Sequence, residues 1–163
     1  MKLGTQQISG WGGYPVQDAL VLCPNTSTEF KSALKTLSPW IARGMGRSYG
    51  DSAMAELVLQ THQMDHFMGF DPSTGLISVQ AGVTLREILK LVVPRGWFLP
   101  VTPGTSQVTV GGAIASDVHG KNHHHAGTFG QHVTAIEVLL GTGEVVTASS
   151  TRSEEHTSEL QSH

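Results

Sequence analysis

Residues 103–130 read PGTSQVTVGGAIASDVHGKNHHHAGTFG, and their reading decides the fold. Gly104, Gly111 and Gly112 let backbone approach a partner with no Cβ in the way, and Thr105, Ser106 and Thr109 add hydroxyl donors beside them. Ala113 and Ala115, in a short helical stretch near Gly111 to Ser116, are small enough to pack that backbone under a flat ring. His119-Gly120-Lys121-Asn122 then leads into His123, His124 and His125. Imidazoles bind zinc, copper and nickel. Adjacent histidines on an irregular segment converge poorly on one ion, however, and no third-ligand motif follows, so no native metal is expected. Most of these histidines read as hydrogen-bonded scaffold or solvent-facing groups. His119 and Lys121 are the better candidates for an active-site floor.

About sixty residues upstream, Arg43 to Ser52 form a second glycine-rich loop, RGMGRSYGDS, directly after a strand. Gly44, Gly46 and Gly50 allow positive φ, and successive amides in such a loop can form a nest for a phosphate, with Arg43 or Arg47 as countercharge. A Walker loop is excluded because the segment holds no lysine. A Rossmann fingerprint is excluded because the third glycine comes one residue late and SYGDS starts a helix poorly. A plain glycine-rich hairpin loop stays open for this segment taken alone. The two loops together suit a long ligand with a charged middle, such as a dinucleotide.

The flanking sequence reads as one α/β unit of two subdomains joined near Gly82. After an opening strand and loop, Leu20 to Cys23 is an apolar strand ended by Pro24. Asn25 to Thr28 offer N-cap hydroxyls, with Glu29 in the first turn of a helix whose inward face is Phe30, Ala33, Leu34 and Leu37. Trp40 to Ala42 reads as the next strand, giving a strand–helix–strand unit that favours parallel pairing. Leu57 to Leu59 is a strand, and Phe67 to Phe70 and Leu76 to Val79 flank the turn Asp71-Pro72-Ser73-Thr74-Gly75 as a hairpin. Thr84 caps a helix with buried Leu85, Ile88, Leu89 and Val92, stopped by Pro94 to Gly96. Val133 to Leu140 and Val145 to Ala148 form a last hairpin around Gly141-Thr142-Gly143.

The bulk properties narrow the class without naming a chemistry. The 163 residues are 39% hydrophobic and 14% charged, with 19 glycines, enough for one domain with a real core. A formal charge of −3 gives no basic field for nucleic acid. No apolar run approaches the roughly 20 residues that cross a bilayer, and MKLGTQQISGWGGYP lacks the apolar core of a secretory signal. The single cysteine, Cys23, sits in an apolar run and reads as a buried structural thiol. A soluble cytoplasmic enzyme fits. Residues 152–163, RSEEHTSELQSH, resemble an in-frame translation of a sequencing adapter and are set apart as a non-native tail, with the natural chain expected to continue past Thr151. Without the tail's one Arg and three Glu, the 10 basic and 13 acidic residues become 9 and 10.

ARGMGRSYGDS, QAGVTLREIL and FLPVTPGTSQVTVGGAIASDVHGKNHHHAGTFGQHV resemble the FAD domain of the vanillyl-alcohol oxidase family, also called the p-cresol methylhydroxylase (PCMH) type. Within it they look most like the branch that oxidises a lipid-linked ribose. The resemblance runs over nearly all of residues 10–148 and implies an α+β, PCMH-type FAD-binding fold of two α/β subdomains. The domain would span 10–151 and stop short of a separate substrate domain. It implies that Ala42, Arg43, Gly44, Met45, Gly46, Arg47, Ser48, Tyr49, Gly50, Asp51 and Ser52 wrap the FAD pyrophosphate. Gly104 and Thr105, with Thr109, Val110, Gly111, Gly112, Ser116, Asp117, Val118 and His119, would line the flavin and its ribityl chain. Tyr49, His119 and Lys121 would face the substrate. Many relatives carry a flavin-linked histidine in the first loop. Asp51 stands there in this chain, which implies noncovalent FAD.

The reaction implied is oxidation of a secondary alcohol on a sugar or lipid-linked sugar, with hydride transfer to flavin N5 and a base taking the hydroxyl proton. His119 is a candidate to polarise substrate or flavin. A separate reductase partner and membrane association through the substrate fit the same resemblance; this piece alone is expected to be inactive. The alternatives are an aldonolactone or alditol oxidase of the same superfamily, and a metal- or nucleotide-binding module without redox chemistry.

Overall fold

The computed structural model describes residues 2–36 and 39–149. Leu37 and the adapter-like run at 152–163 lie outside the described residues.

Strand β1 (Lys2–Ser9) pairs antiparallel with β2 (Val16–Cys23). Helix α1 (Ser27–Thr36) follows, started by reciprocal bonds: the Glu29 amide donates to Thr26 Oγ1 at 3.1 Å and the Asn25 amide to the Glu29 carboxylate at 3.0 Å. Strand β3 (Ile41–Arg43) begins one residue later than the pattern predicts and takes in Arg43, the expected first loop residue. It does not pair with β2. Strand β4 (Leu57–Gln60) inserts between them, parallel to both, in the order β1-β2-β4-β3.

That insertion explains the unbroken apolar run at 19–23. Ala19, Val21 and Cys23 pack with Ile8, Met54 and Val58 on one face of the sheet. Leu22 points the other way, to Leu59 and to Ala33 and Leu34 of α1. A strand covered on both faces has no polar side to show, so period-2 alternation is lost. Each such buried Val or Leu contributes about 1.5–3 kcal/mol.

The second half has its own core, in which Val83, Leu85, Ile88, Val92, Val101, Ala113 and Phe129 are buried together. Strands β5 (Phe67–Phe70) and β6 (Ile77–Val79) form the expected hairpin. Its turn is held by Asp71, whose carboxylate accepts from the Ser73 amide and hydroxyl and the Thr74 hydroxyl at 2.6–2.9 Å. Those bonds hold the carboxyl at about 2, below the usual range. Helix α2 (Leu85–Val92) starts with a full capping box, Thr84 and Glu87 bonding each other's amides. Leu85, Ile88 and Val92 are buried as expected, whereas Leu89 is only half-buried.

Helix α3 (Val110–Ala115) and the single-turn helix α4 (His123–Ala126) follow. The histidine run is therefore helical, not irregular. The strand expected from Val133 starts at Ala135, because Val133 caps a tight helical turn at Phe129–His132, its amide donating to Gly130 O. Strands β7 (Ala135–Leu139) and β8 (Val145–Ser149) pair as the last hairpin, and Leu139 packs back onto the α1 side of the first core.

Candidate flavin site

The first glycine-rich loop leaves β3 at Arg43 and is fastened from below. The Arg43 guanidinium donates to Ser9 O at 2.7 Å and Ala53 O at 3.0 Å, and the Thr61 amide donates to Arg43 O at 2.9 Å. Burial first, and the charge of Arg47 second, push the Arg43 guanidinium below its ordinary value. This arginine is a clamp, not a free countercharge. Gly46 has φ of 64°, and a Cβ there would overlap the Arg43 guanidinium. Arg47 is the exposed cation, its guanidinium 5.1 Å from the Trp11 ring centre and bonded to Met45 O at 2.8 Å.

Between these fixings the loop leaves its donors open. Among the described residues, none of the amides from Met45 to Tyr49 donates a hydrogen bond to the protein. A run of amides in a turn with left-handed glycines at 46 and 50 (φ 64° and 57°) is an anion-binding concavity.

The second glycine-rich segment is placed differently. Its carbonyls satisfy the first turn of α2: the Leu85 and Arg86 amides donate to Val108 O and Ser106 O, each at 3.0 Å. Thr109 caps α3, its hydroxyl accepting from the Gly112 amide at 3.1 Å. The Val110 and Gly111 amides donate to Val83 O at 2.8 Å and Ala81 O at 2.9 Å. The amides at 110–112 are thus already bound, and the close approach at Gly111 is to Ala81. Ala113 is buried in the second core. Gly112, Ala115, Ser116, Asp117 and His119 are exposed, as is Gly104, where an added Cβ would meet open space. Val118 is half-buried against the core, and Thr105 Oγ1 accepts from the Gln107 amide at 3.1 Å.

The two segments meet at Gly44 and Thr109. A Cβ on Gly44 would overlap the hydroxyl of Thr109, which is 1% exposed. Backbone from residue 44, the residue before the open amide run, therefore lies directly on the N-cap of α3.

His119 and Lys121 share an open cleft of about 770 Å³ with Thr102, Gly104 and His123. Tyr49, 79% exposed on the first loop, is not part of its lining. Asp51 and Ser52 are exposed, the latter bonding Tyr49 O at 3.0 Å. Ala42 lies in β3. Among the described residues no three His, Cys, Asp or Glu side chains converge as a metal site.

A family profile described as FAD binding domain matches residues 19–149. The chain belongs to this FAD-binding family. It is 43% identical over 86% of its length to the decaprenylphosphoryl-beta-D-ribose oxidase of Mycolicibacterium smegmatis, of which it spans 32%. It is 30% identical over 80% of its length to a D-lactate dehydrogenase of Anaerostipes hadrus, of which it spans 29%. Among solved structures it superposes on an alkyldihydroxyacetonephosphate synthase (TM-score 0.65, 20% identity, 80% of this chain and 26% of that one). It also superposes on a variant of Physcomitrella patens BBE-like 1 (TM-score 0.66, 19% identity, 80% and 30%). The fold is the PCMH-type FAD-binding fold, in its N-terminal part, and FAD is the cofactor of this family.

The residues present fit that cofactor. The open amides of Met45–Tyr49 suit a pyrophosphate, and the exposed small residues of α3 leave room beside it for a planar ring. Sequence reading missed the buttress under the first loop: the Trp11 amide donates to Ser48 O at 2.8 Å, and a Cβ on Gly10 would overlap Gly50 O. The GWGG at 10–13 was its only signal. It also missed His62, whose Nδ1 is buried with no partner among the described residues.

Proposed function

We propose that this chain is the flavin-carrying part of an oxidoreductase that oxidises a secondary alcohol on a sugar-type, lipid-linked substrate, with FAD held noncovalently. The observation that carries this reading is the open amide run Met45–Tyr49, which follows directly on Gly44 where that residue packs against the Thr109 cap of α3. The identity to a ribose oxidase over 86% of the chain supports the substrate class. The fully buried members of the first core lie before Gly82 and those of the second after it, which supports two subdomains within the proposed domain 10–151.

Bound FAD supplies the two-electron acceptor that no amino-acid side chain provides. Everything else falls to the protein. The Met45–Tyr49 amides, with the exposed Arg47, would hold the pyrophosphate charge; Arg43 holds the loop. Gly104, Gly112, Ser116, Asp117 and His119, all exposed, would flank the ring. His119, at the cleft wall, takes or shares the hydroxyl proton at a ring nitrogen, a role that supplies about 10² to 10⁴ in rate. By the resemblance, Asp51 stands where many relatives carry a flavin-linked histidine, which supports noncovalent binding. A cytoplasmic enzyme meeting its substrate at the membrane surface fits this chemistry; no helix of the described residues is long and apolar enough to cross a membrane.

Visible spectra before and after acid precipitation test the reading. Flavin absorbance released to the supernatant is expected. Absorbance retained in the pellet refutes the Asp51 argument, and a folded chain that takes up no added FAD overturns the cofactor assignment.

A further inference from the structure

We infer that the corner formed by Leu76, Val93 and Phe98 docks on an anionic lipid surface, with Arg86, Lys90 and Arg95 as its basic rim. The inference rests on the reading above, in which the substrate is lipid-linked. Such a substrate keeps its hydrocarbon in a bilayer, so the protein has to meet it there.

The three apolar side chains are 55%, 48% and 65% exposed, and they surround one fixed joint. Trp97 Nε1 donates to Pro72 O at 3.1 Å, and a Cβ on Gly75 would overlap the Trp97 ring. The hairpin turn that ends before Leu76 is therefore seated on the residue that precedes Phe98. The Trp97 amide donates to Val92 O at 3.1 Å and the Gly96 amide to Val93 O at 3.0 Å, which brings Val93, in the tight turn Val93–Arg95 after α2, to the same joint. An aromatic held by its indole N–H among exposed apolar neighbours suits a boundary between water and lipid.

Charge selects the occupant. Arg86 and Lys90 are exposed and four residues apart on α2, so they share a face, and the exposed Arg95 follows in the next turn. The one acid of residues 85–100, Glu87, is half-buried and tied to Thr84 in the helix cap. Asp71, in the turn seated on Trp97, is engaged by the Ser73 and Thr74 donors. In a chain of net charge −3, three exposed cations thus gather beside exposed apolar side chains, the combination that anionic headgroups attract. A second copy docked by the same corner would set those cations against their own kind. The corner also lies near the cleft: Phe98 stands four residues before Thr102 of its lining, a reach of at most about 15 Å. The segment between them is fastened by Val101 in the core and by Asn122 Nδ2, which donates to Pro100 O at 3.0 Å.

The test mixes the FAD-loaded chain with vesicles of phosphatidylglycerol or of phosphatidylcholine, free of any sugar substrate, and reads the bound fraction by cosedimentation. Binding to phosphatidylglycerol is expected, weakened about tenfold by Phe98→Ser, as for one aromatic side chain withdrawn from an apolar phase. Lys90→Gln should weaken it about fivefold, as for one cation lost from an anionic surface. Tyr14→Ser, which removes an exposed aromatic from the loop before β2, should bind as wild type does. No binding to phosphatidylglycerol, equal binding to both lipids, or wild-type binding by either Phe98→Ser or Lys90→Gln would each overturn the docking surface. Self-association without vesicles that disappears in Phe98→Ser would give the corner to a second copy and overturn it as well. A chain that takes up no FAD fails the cofactor reading alone, because the vesicle comparison needs neither flavin nor sugar and still decides the corner.

Discussion

Gly44→Ala tests the contact on which the site depends. The added Cβ would overlap the Thr109 hydroxyl and lie 3.3 Å from its Cγ2 and 3.4 Å from its Cβ. Thr109 cannot move aside: it is 1% exposed, its carbonyl accepts from Ala113, and its backbone bridges Thr84. Overpacking of this kind costs about 1–3 kcal/mol. Thr109→Ala removes the α3 cap and costs about 0.5–2 kcal/mol by itself. It also removes the atoms that clash, leaving only Thr109 Cβ at an ordinary 3.4 Å. The double variant should therefore cost little more than Thr109→Ala, a coupling of about 1–3 kcal/mol in a double-mutant cycle. Urea denaturation reads it: at a slope of about 2 kcal/mol per molar, Gly44→Ala should lower the midpoint by roughly 0.5–1.5 M, and adding Thr109→Ala should not lower it by the further sum. FAD titration of the same variants should show Gly44→Ala weakening uptake, with partial recovery in the double. Costs that add to within about 0.5 kcal/mol would show that the two loops do not touch, and the site as built here would be wrong.

Arg43→Lys should destabilise the apo chain by roughly 1–3 kcal/mol, because one ammonium cannot reach both Ser9 O and Ala53 O and a part-buried carbonyl loses its donor; a urea midpoint equal to wild type would sink the clamp. The Asp71 turn carries a pH signature. Its carboxyl sits at about 2 in the folded chain against roughly 3.9 unfolded, so its contribution is full above the unfolded value and is lost as pH falls through the folded one. A carboxyl NMR titration of Asp71 with a midpoint near 4 would contradict those bonds, and Asp71→Asn should flatten whatever stability change the wild type shows in that acid window.

Local elements were legible because their causes are local. The Asp71–Gly75 turn, the Thr84–Glu87 cap and the hydroxyls before α1 each act within four residues, where spacing and side-chain chemistry suffice. Both glycine-rich loops, the missing Walker lysine and the oxidase-like string at 101–130 could likewise be read directly. Element ends were less legible: the turn at Phe129–His132 forms where Phe129 enters the second core, and no period in the strand pattern announces that.

Only the tertiary structure decided what each candidate residue is free to do. Arg43 and Arg47 look equivalent in RGMGRSYGDS, yet one is bound to carbonyls from two distant segments while the other is exposed. The glycines at 44 and 111 look like ligand positions, and packing shows that each answers to a neighbour, Thr109 and Ala81. Tyr49 falls outside the cleft that joins His119 to Lys121. By itself, the sequence determined the local elements, the cofactor family and the residues from which a site must be built. The insertion of β4 between β2 and β3, and the contact of residue 44 with residue 109, depend on burying two faces of one sheet and closing two cores together. Such long-range packing sums weak contacts over the whole chain, and no local pattern encodes it.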